Sequence, residues 1–307
     1  MQLSVVVPVF NEQEVLPAFR ARLIPVLQAC TQDYEILFIN DGSTDSTLAL
    51  LKTWAQADKR FKIITLSRNF GKEAALTAGL QASRGDGVIL LDADLQDPPE
   101  IISSFWEKFQ QGYDNIYGVR QDRASDSWLK RFTAGAFYHA YNRLAHTPIP
   151  PHAGDCRLLS RRAVQAVLCL PETERFSKGL FAWVGFKSAA VPFTRQPRHA
   201  GRTKWTYWQL WNLALSGLTA SSTFPLKVCT YFGGLVSGMS FLFALWTAYK
   251  KICWGNPVSG YTSLMVAILF FSGVQLITLG VLGEYVGRIF HEVKKRPLYL
   301  IDEKINL

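Results

Sequence analysis

The chain has 307 residues, 49% apolar and 19% charged, with a formal charge of +9; this is room for one or two domains with a sizeable core, and the composition is not that of a disordered chain. Five cysteines without CxxC spacing exclude a zinc knuckle and a disulfide framework, and they fit a reducing compartment. The basic excess suits lipid headgroups or phosphorylated substrates rather than nucleic acid, because basic residues flank apolar runs and nowhere interleave with aromatics along a groove.

The sequence opens on a strand-like run, Leu3 to Val9, without the basic and apolar regions of a secretory leader, so the first domain is expected to stay in the cytoplasm. Further apolar, β-branched runs follow at Glu35 to Ile39, Lys62 to Leu66 and Gly87 to Leu91. Between them Glu12 to Cys30, Ser46 to Ala57 and Lys72 to Ser83 carry apolar residues at helical spacing, with Ser43 or Thr44 as candidate caps of the second helix. Such alternation predicts an α/β domain with a mostly parallel sheet covered on both faces. Beyond it the pattern predicts helices at Ile101 to Gln111, Trp128 to Leu144 and Arg161 to Leu168, and a strand at Asn115 to Val119.

Tyr207 to Ser221 places Trp208, Trp211, Leu215 and Leu218 on one helical face, which reads as a helix lying in a membrane interface or, alternatively, as a core helix. Two uncharged runs, 228–249 and 263–283, are each long enough to cross a hydrocarbon core of roughly 30 Å, and a short Gly- and Pro-containing connector makes them a transmembrane hairpin. Lys227 and the cluster from Arg288 to Arg296 outnumber Lys250 and Lys251 in the connector, which places both ends on the cytoplasmic side. The expected organisation is a catalytic domain over 1–205, an interfacial helix over 206–224, a membrane hairpin over 225–290 and a basic cytoplasmic tail over 291–307.

In an open parallel sheet ligands bind beyond the carboxyl ends of the strands, so the residues that follow each strand are the site candidates. They are Pro8 to Glu12, Asn40 to Ser43, Ser67 to Lys72 and Asp92 to Asp97. Asp92 and Asp94, two apart on a segment read as extended, would face one ligand together, and two hard carboxylates suit Mg²⁺ or Mn²⁺ completed by diphosphate oxygens. A DxD alone also occurs as a surface turn or a helix cap. Asp41, on a tight Asp-Gly-Ser turn, reads either as an acceptor for a nucleoside donor or as a cap of the following helix. No GxGxxG or GxxxxGK[ST] follows a strand, which excludes the usual dinucleotide and P-loop sites. Arg120, Arg123, Lys130 and Arg131 form a basic group that fits an acceptor phosphate or, alternatively, a solvated face paired with Asp122 and Asp126.

VVVPVFNE, INDGSTDST, SRNFGKEAALTAG and LLDADLQDPPE, in that order, resemble the GT-A fold of inverting glycosyltransferase family 2, in particular its polyprenyl-phosphate glycosyltransferases. GDCRLLSR, FSKGLFAWVGF, RHAGRTKW, WNLALSGLTASSTFPLKV and GVLGEYVGRIFHEVKKRP resemble the bactoprenol glucosyltransferases of O-antigen modification. The resemblance implies transfer of glucose from UDP-glucose to undecaprenyl phosphate at the bacterial inner membrane by a homo-oligomer. It implies contact of Asp41 with uridine, with Pro8 and Glu12 in the same nucleotide-sugar site. Asp92 would serve the nucleotide and the metal, Asp94 the metal, and Gln96 the donor sugar or acceptor phosphate. Arg198, Arg202 and Lys204 would close over the diphosphate. Asp155 would be the catalytic carboxylate, aligning the acceptor or sugar hydroxyls rather than acting as a base, with an ion pair to Arg157 as its structural alternative. Another nucleotide sugar, or a membrane-tethered sensor that binds without turnover, are the rival readings. A processive polysaccharide synthase would carry a QxxRW segment, which is absent.

Overall fold

The computed structural model describes residues 1–120, 147, 148, 150, 153–173, 175–194, 224–254 and 260–307. The chain divides into two compact units, Met1–Trp211 with Arg296–Leu307, and Asn212–Lys295.

The first unit is built on a sheet of eight strands: β1 (Leu3–Val9), β2 (Tyr34–Asn40), β3 (Phe61–Leu66), β4 (Gly87–Leu90), β5 (Asn115–Arg120), β6 (Ala153–Ser160), β7 (Ser188–Phe193) and β8 (Ile301–Ile305). They lie in the order β7-β5-β6-β4-β1-β2-β3-β8. β1 pairs in parallel with β2 and β4, and β2 with β3, as the strand–helix alternation predicts. β6 runs antiparallel between β4 and β5, so its amino end lies at the rim where the parallel strands end.

Both faces are covered. Val5 and Val7 of β1 enter one apolar cluster with α1 (Leu16–Cys30), α2 (Thr47–Ala57) and α4 (Ile101–Gln110). Val6 enters the other, with α3 (Lys72–Ala82) and α5 (Arg161–Leu168). Alternate side chains point to opposite faces, so a strand buried on both reads as an unbroken apolar run. α1 buries Leu16, Phe19, Leu23 and Leu27 at three-four spacing and starts four residues later than its pattern predicts, with a proline in its first turn. α2 is capped differently from the expectation. Ser46 stands at its N-cap without a side-chain bond, Asp45 accepts from the Thr47 N–H at 3.0 Å, and Ser43 is instead engaged by the Asn11 N–H at 3.0 Å. The expected helix over Trp128 to Leu144 lies outside the described residues, as does the interfacial helix over 206–224 except for Phe224, which begins a later helix.

Residues 291–307, expected as a basic tail, depart from that reading. Ile301–Ile305 forms β8, which pairs antiparallel with β3 and closes an edge that would otherwise expose unpaired backbone groups. Ile305 packs against one apolar cluster and Tyr299 and Leu307 against the other; the Asn306 amide donates to the carbonyls of Ala55 and Phe61 at 2.8 and 3.0 Å. The tail is held by this apolar packing and backbone pairing, and its lysines do not decide its place.

The second unit contains two long helices that contact one another, α7 (Phe224–Trp254) and α8 (Tyr261–Lys294). Within α8, the segment Phe270–Lys294 has a mean hydropathy of 1.3 and is, among the described residues, the one helix long and apolar enough to cross a membrane. Leu242, Phe243 and Trp246 on α7 and Leu276, Ile277 and Leu279 on α8 are exposed.

Candidate active site

The site is assembled at the carboxyl rim of the sheet. β4 ends at Leu90; Asp92 follows it and Asp94 lies in the turn that comes next, with Leu95 at φ 58°, so the two do not share the extended segment the spacing presumed. The turn lets the Gln96 N–H donate to Asp94 Oδ1 at 3.1 Å. Asp92 and Asp155 are brought together by the sheet. Leu90 pairs with Arg157 at the end of the antiparallel ladder, so Asp92, two residues after Leu90, and Asp155, two before Arg157, come to the same rim, where one lysine reaches both.

Two carboxylates so placed need a cation, and two lysines supply it. Lys72 Nζ lies 2.6 Å from Asp92 Oδ2 and 2.8 Å from Asp155 Oδ2, and Lys178 Nζ lies 3.0 Å from Asp155 Oδ1. Burial pushes the Asp155 carboxyl up, but the Lys72 and Lys178 ammoniums outweigh this and hold it well below the usual carboxylate range. Burial raises Asp92, Lys72 opposes, and the nearby Asp155 and Asp94 charges add to the rise. Burial would lower Lys72, yet Asp92 and Asp155 keep it well above an ordinary lysine, so it stays cationic. A carboxylate as acidic as Asp155 is a poor proton acceptor at neutral pH and a good fixed acceptor of hydrogen bonds.

Lys72 is delivered by the loop after β3, and Asp41 fixes that loop. Asp41, at the end of β2, accepts from the Phe70 N–H at 2.7 Å and the Gly71 N–H at 2.9 Å. Burial raises its pKa, with the two amides and Arg68 opposing. The turn beneath admits only glycine: Gly42 has φ +70°, and a Cβ there would meet the Arg68 carbonyl carbon at 2.6 Å. The cap reading of Asp41 gives way to this loop contact, since Ser46 stands at the N-cap of α2.

Pro8 lies on β1 beside Ile39, and Glu12 follows at the same rim, its N–H donating to Thr47 Oγ1 at 3.0 Å. Arg120 closes β5 opposite Phe193. Arg123, Lys130, Arg131, Arg198, Arg202 and Lys204 lie outside the described residues. Lys72 and Lys178 are the site residues that sequence reasoning missed. Lys72 was in view as the last residue of the third strand-end group, whereas Lys178, on α6 (Ser177–Trp183), belongs to no strand end. The expected partner of Asp155, Arg157, is otherwise engaged. Its guanidinium stacks on Phe181 at 4.1 Å and reaches Asn115 Oδ1 at 3.5 Å, and burial lowers its pKa to about 10. With Asn115, Tyr117, Lys178 and Ser188 it lines a cavity of about 160 Å³.

The donor set at the rim consists of hard oxygens. Among the described residues no group of three His, Cys, Asp or Glu side chains forms a metal cluster, so Asp92 and Asp94 would offer a cation a two-carboxylate platform with positions left for ligand oxygens. That a lysine already bridges Asp92 and Asp155 shows that positive charge fits there.

Residues 4–168 match the model of glycosyl transferase family 2, and residues 224–289 match the GtrB C-terminal hairpin. An uncharacterised glycosyltransferase of Synechocystis is 50% identical over 303 residues, covering 99% of this chain and 95% of its own. The bactoprenol glucosyl transferase of Shigella phage SfII is 48% identical over 98% of this chain and 97% of its own, and a prophage homologue of Escherichia coli is 46% identical over 98% of both. With a matched domain over more than half its length and relatives of this identity from end to end, the chain belongs to glycosyl transferase family 2 and carries the C-terminal hairpin of the GtrB type.

Proposed function

We propose that the protein transfers glucose from UDP-glucose to undecaprenyl phosphate with inversion, at the cytoplasmic face of the bacterial inner membrane. The observation that carries this reading is the gathering of Asp92, Asp94 and Asp155 with Lys72 and Lys178 at the one rim where an α/β sheet binds its ligand. The names of the bactoprenol glucosyl transferases, similar over nearly the whole chain, supply the donor sugar and the acceptor lipid. Residues 225–290 are read as a two-span hairpin and 1–205 as the cytoplasmic domain. Tethering to apolar helices raises the effective concentration of a lipid acceptor.

Asp94 and Asp92 would hold Mg²⁺ or Mn²⁺, which when bound neutralises charge growing on the departing diphosphate. The chain's own residues do the rest. Asp155, kept ionised by its lysines, aligns the acceptor or the sugar hydroxyls. No general base is needed, because a phosphate monoester with a second pKa of about 6 is already largely ionised. Asp41 fixes the loop against which uridine would lie, with Pro8 and Glu12 on the same rim. The Gln96 N–H, bonded to Asp94, helps keep the acidic turn in shape, and its side chain is assigned to the donor sugar or the acceptor phosphate. Arg198, Arg202 and Lys204 are assigned to the diphosphate, and Arg120, Arg123, Lys130 and Arg131 to the acceptor phosphate. The functional unit is read as a homo-oligomer.

The test incubates purified protein with radiolabelled UDP-glucose, Mg²⁺ and undecaprenyl phosphate, then extracts the lipid. Label in the organic phase that unlabelled UDP-glucose competes away, and GDP-mannose does not, is the expected result. Background label throughout would reject transfer and leave a nucleotide-sugar sensor.

A further inference from the structure

We infer that Lys72 is a built-in counter-cation that makes capture of the divalent ion depend on the nucleotide; the inference rests on the metal-assisted reading above. Four side chains at the rim are in direct ionic contact, Lys72 with Asp92 and Asp155, and Lys178 with Asp155. Their charges cancel. Asp94, two residues from Asp92, adds its carboxylate beside four groups that already neutralise one another, a weak lure for a divalent ion that gives up its hydration reluctantly.

Lys72 opposes the ion in two further ways. Its ammonium occupies Asp92 Oδ2 at 2.6 Å, and a bound cation on the same carboxylate would stand against a like charge at close range. A nucleoside diphosphate reverses this balance, since its own negative charge offsets Lys72 and its oxygens complete the coordination that two carboxylates begin.

The lysine is built to be exchangeable without being loose. Its backbone is fixed, because Gly71, at φ +95°, and Phe70 donate to Asp41 and α3 begins at Lys72 itself. Its ion pairs remain open to ligand: the Lys72, Asp92 and Asp155 side chains keep 39, 31 and 45% of their exposure. Lys72 acts through Asp92 and Asp155 and is a positioning residue, whose cost in the free site is weak metal binding. Its benefit is that metal and donor enter together.

The experiment measures Mn²⁺ binding to the full chain in detergent by electron paramagnetic resonance, with and without UDP. Wild type, Lys72→Met, Lys72→Gln and Lys72→Arg are compared, and thermal melting establishes that each is folded. Without UDP, the neutral variants are expected to bind Mn²⁺ roughly tenfold or more tightly than wild type, and Lys72→Arg to stay with wild type. With UDP, that gap should close to about threefold or less. Nucleotide-free binding that is unchanged or weaker in the folded neutral variants overturns the inference. So does a wild type that takes up Mn²⁺ equally well with and without UDP, a comparison that needs no variant. If wild type takes up no Mn²⁺ even with UDP, the metal-assisted reading falls and the inference with it.

Discussion

The two rims of the central sheet each hold a lysine–carboxylate pair, and the surroundings of the two pairs differ. At the amino rim Glu35 is 2% exposed and accepts from Ser4 Oγ at 2.5 Å, Lys62 Nζ at 2.5 Å and the Arg84 N–H at 2.7 Å. These bonds tie the starts of β1, β2, β3 and β4 into one corner. At the carboxyl rim Lys72 bridges Asp92 and Asp155 with the three side chains 31 to 45% exposed, and among the described residues no main-chain amide donates to either carboxylate. A buried pair with every oxygen satisfied has nothing to exchange and serves the fold. An open pair satisfied by a solvent-exposed ammonium can trade partners with a ligand, and serves chemistry.

The comparison is broken most sharply at the open rim. Asp94→Asn removes the carboxylate charge and keeps an amide oxygen that can accept from the Gln96 N–H, so transfer activity is expected to fall by roughly a thousandfold while the melting temperature holds. Full activity in that variant would refute metal-assisted catalysis through Asp94. Next in size is the buried rim. Glu35→Gln leaves Lys62 without its charge partner and is expected to cost about 3 kcal/mol of stability by chemical denaturation, with kcat of the remaining folded protein unchanged. The pH dependence has a defined sign. Burial pushes Glu35 up, but Lys62, Ser4 and the Arg84 amide outweigh it, so its folded pKa lies below the ordinary 4.5. Its contribution is complete above that value and disappears as pH falls through the folded one; the variant should therefore lose less stability than wild type on acidification through this window. The smallest effect is at the β8 edge. Lys52 and Glu303 pair at 2.7 Å but are 39 and 40% exposed, so Lys52→Ala should cost less than about 0.5 kcal/mol. A larger loss would mean that β8 is held by charge rather than by its backbone ladder and apolar packing.

The parallel half of the sheet was legible because each of its strands is buried on both faces, and a run such as Ser4 to Val9 has no other comfortable environment. Helix α5 was read over Arg161 to Leu168 from its pattern, and the structure adds a Ser160 cap that accepts from the Ala163 N–H. Strand-end counting also found Asp41, Asp92 and Asp94. It failed where partners arrive from far along the chain. Lys178 reaches Asp155 from a seven-residue helix, and Asp155 itself meets Asp92 only because β6 runs antiparallel beside β4.

What the sequence by itself determined is the alternation of elements, the two apolar helices near the carboxyl terminus and the acidic residues at strand ends, because periodicity and turn chemistry are local properties of the chain. Tertiary structure alone decided the charge partners and the fate of the last residues. The pairing of Lys72 with both Asp92 and Asp155, the hold of Asp41 on the loop after β3, and the return of Ile301–Ile305 to the sheet edge each join positions tens to hundreds of residues apart. Ion pairs and strand pairings of this kind depend on distance in space, which the order of residues along the chain does not encode until the sheet has formed.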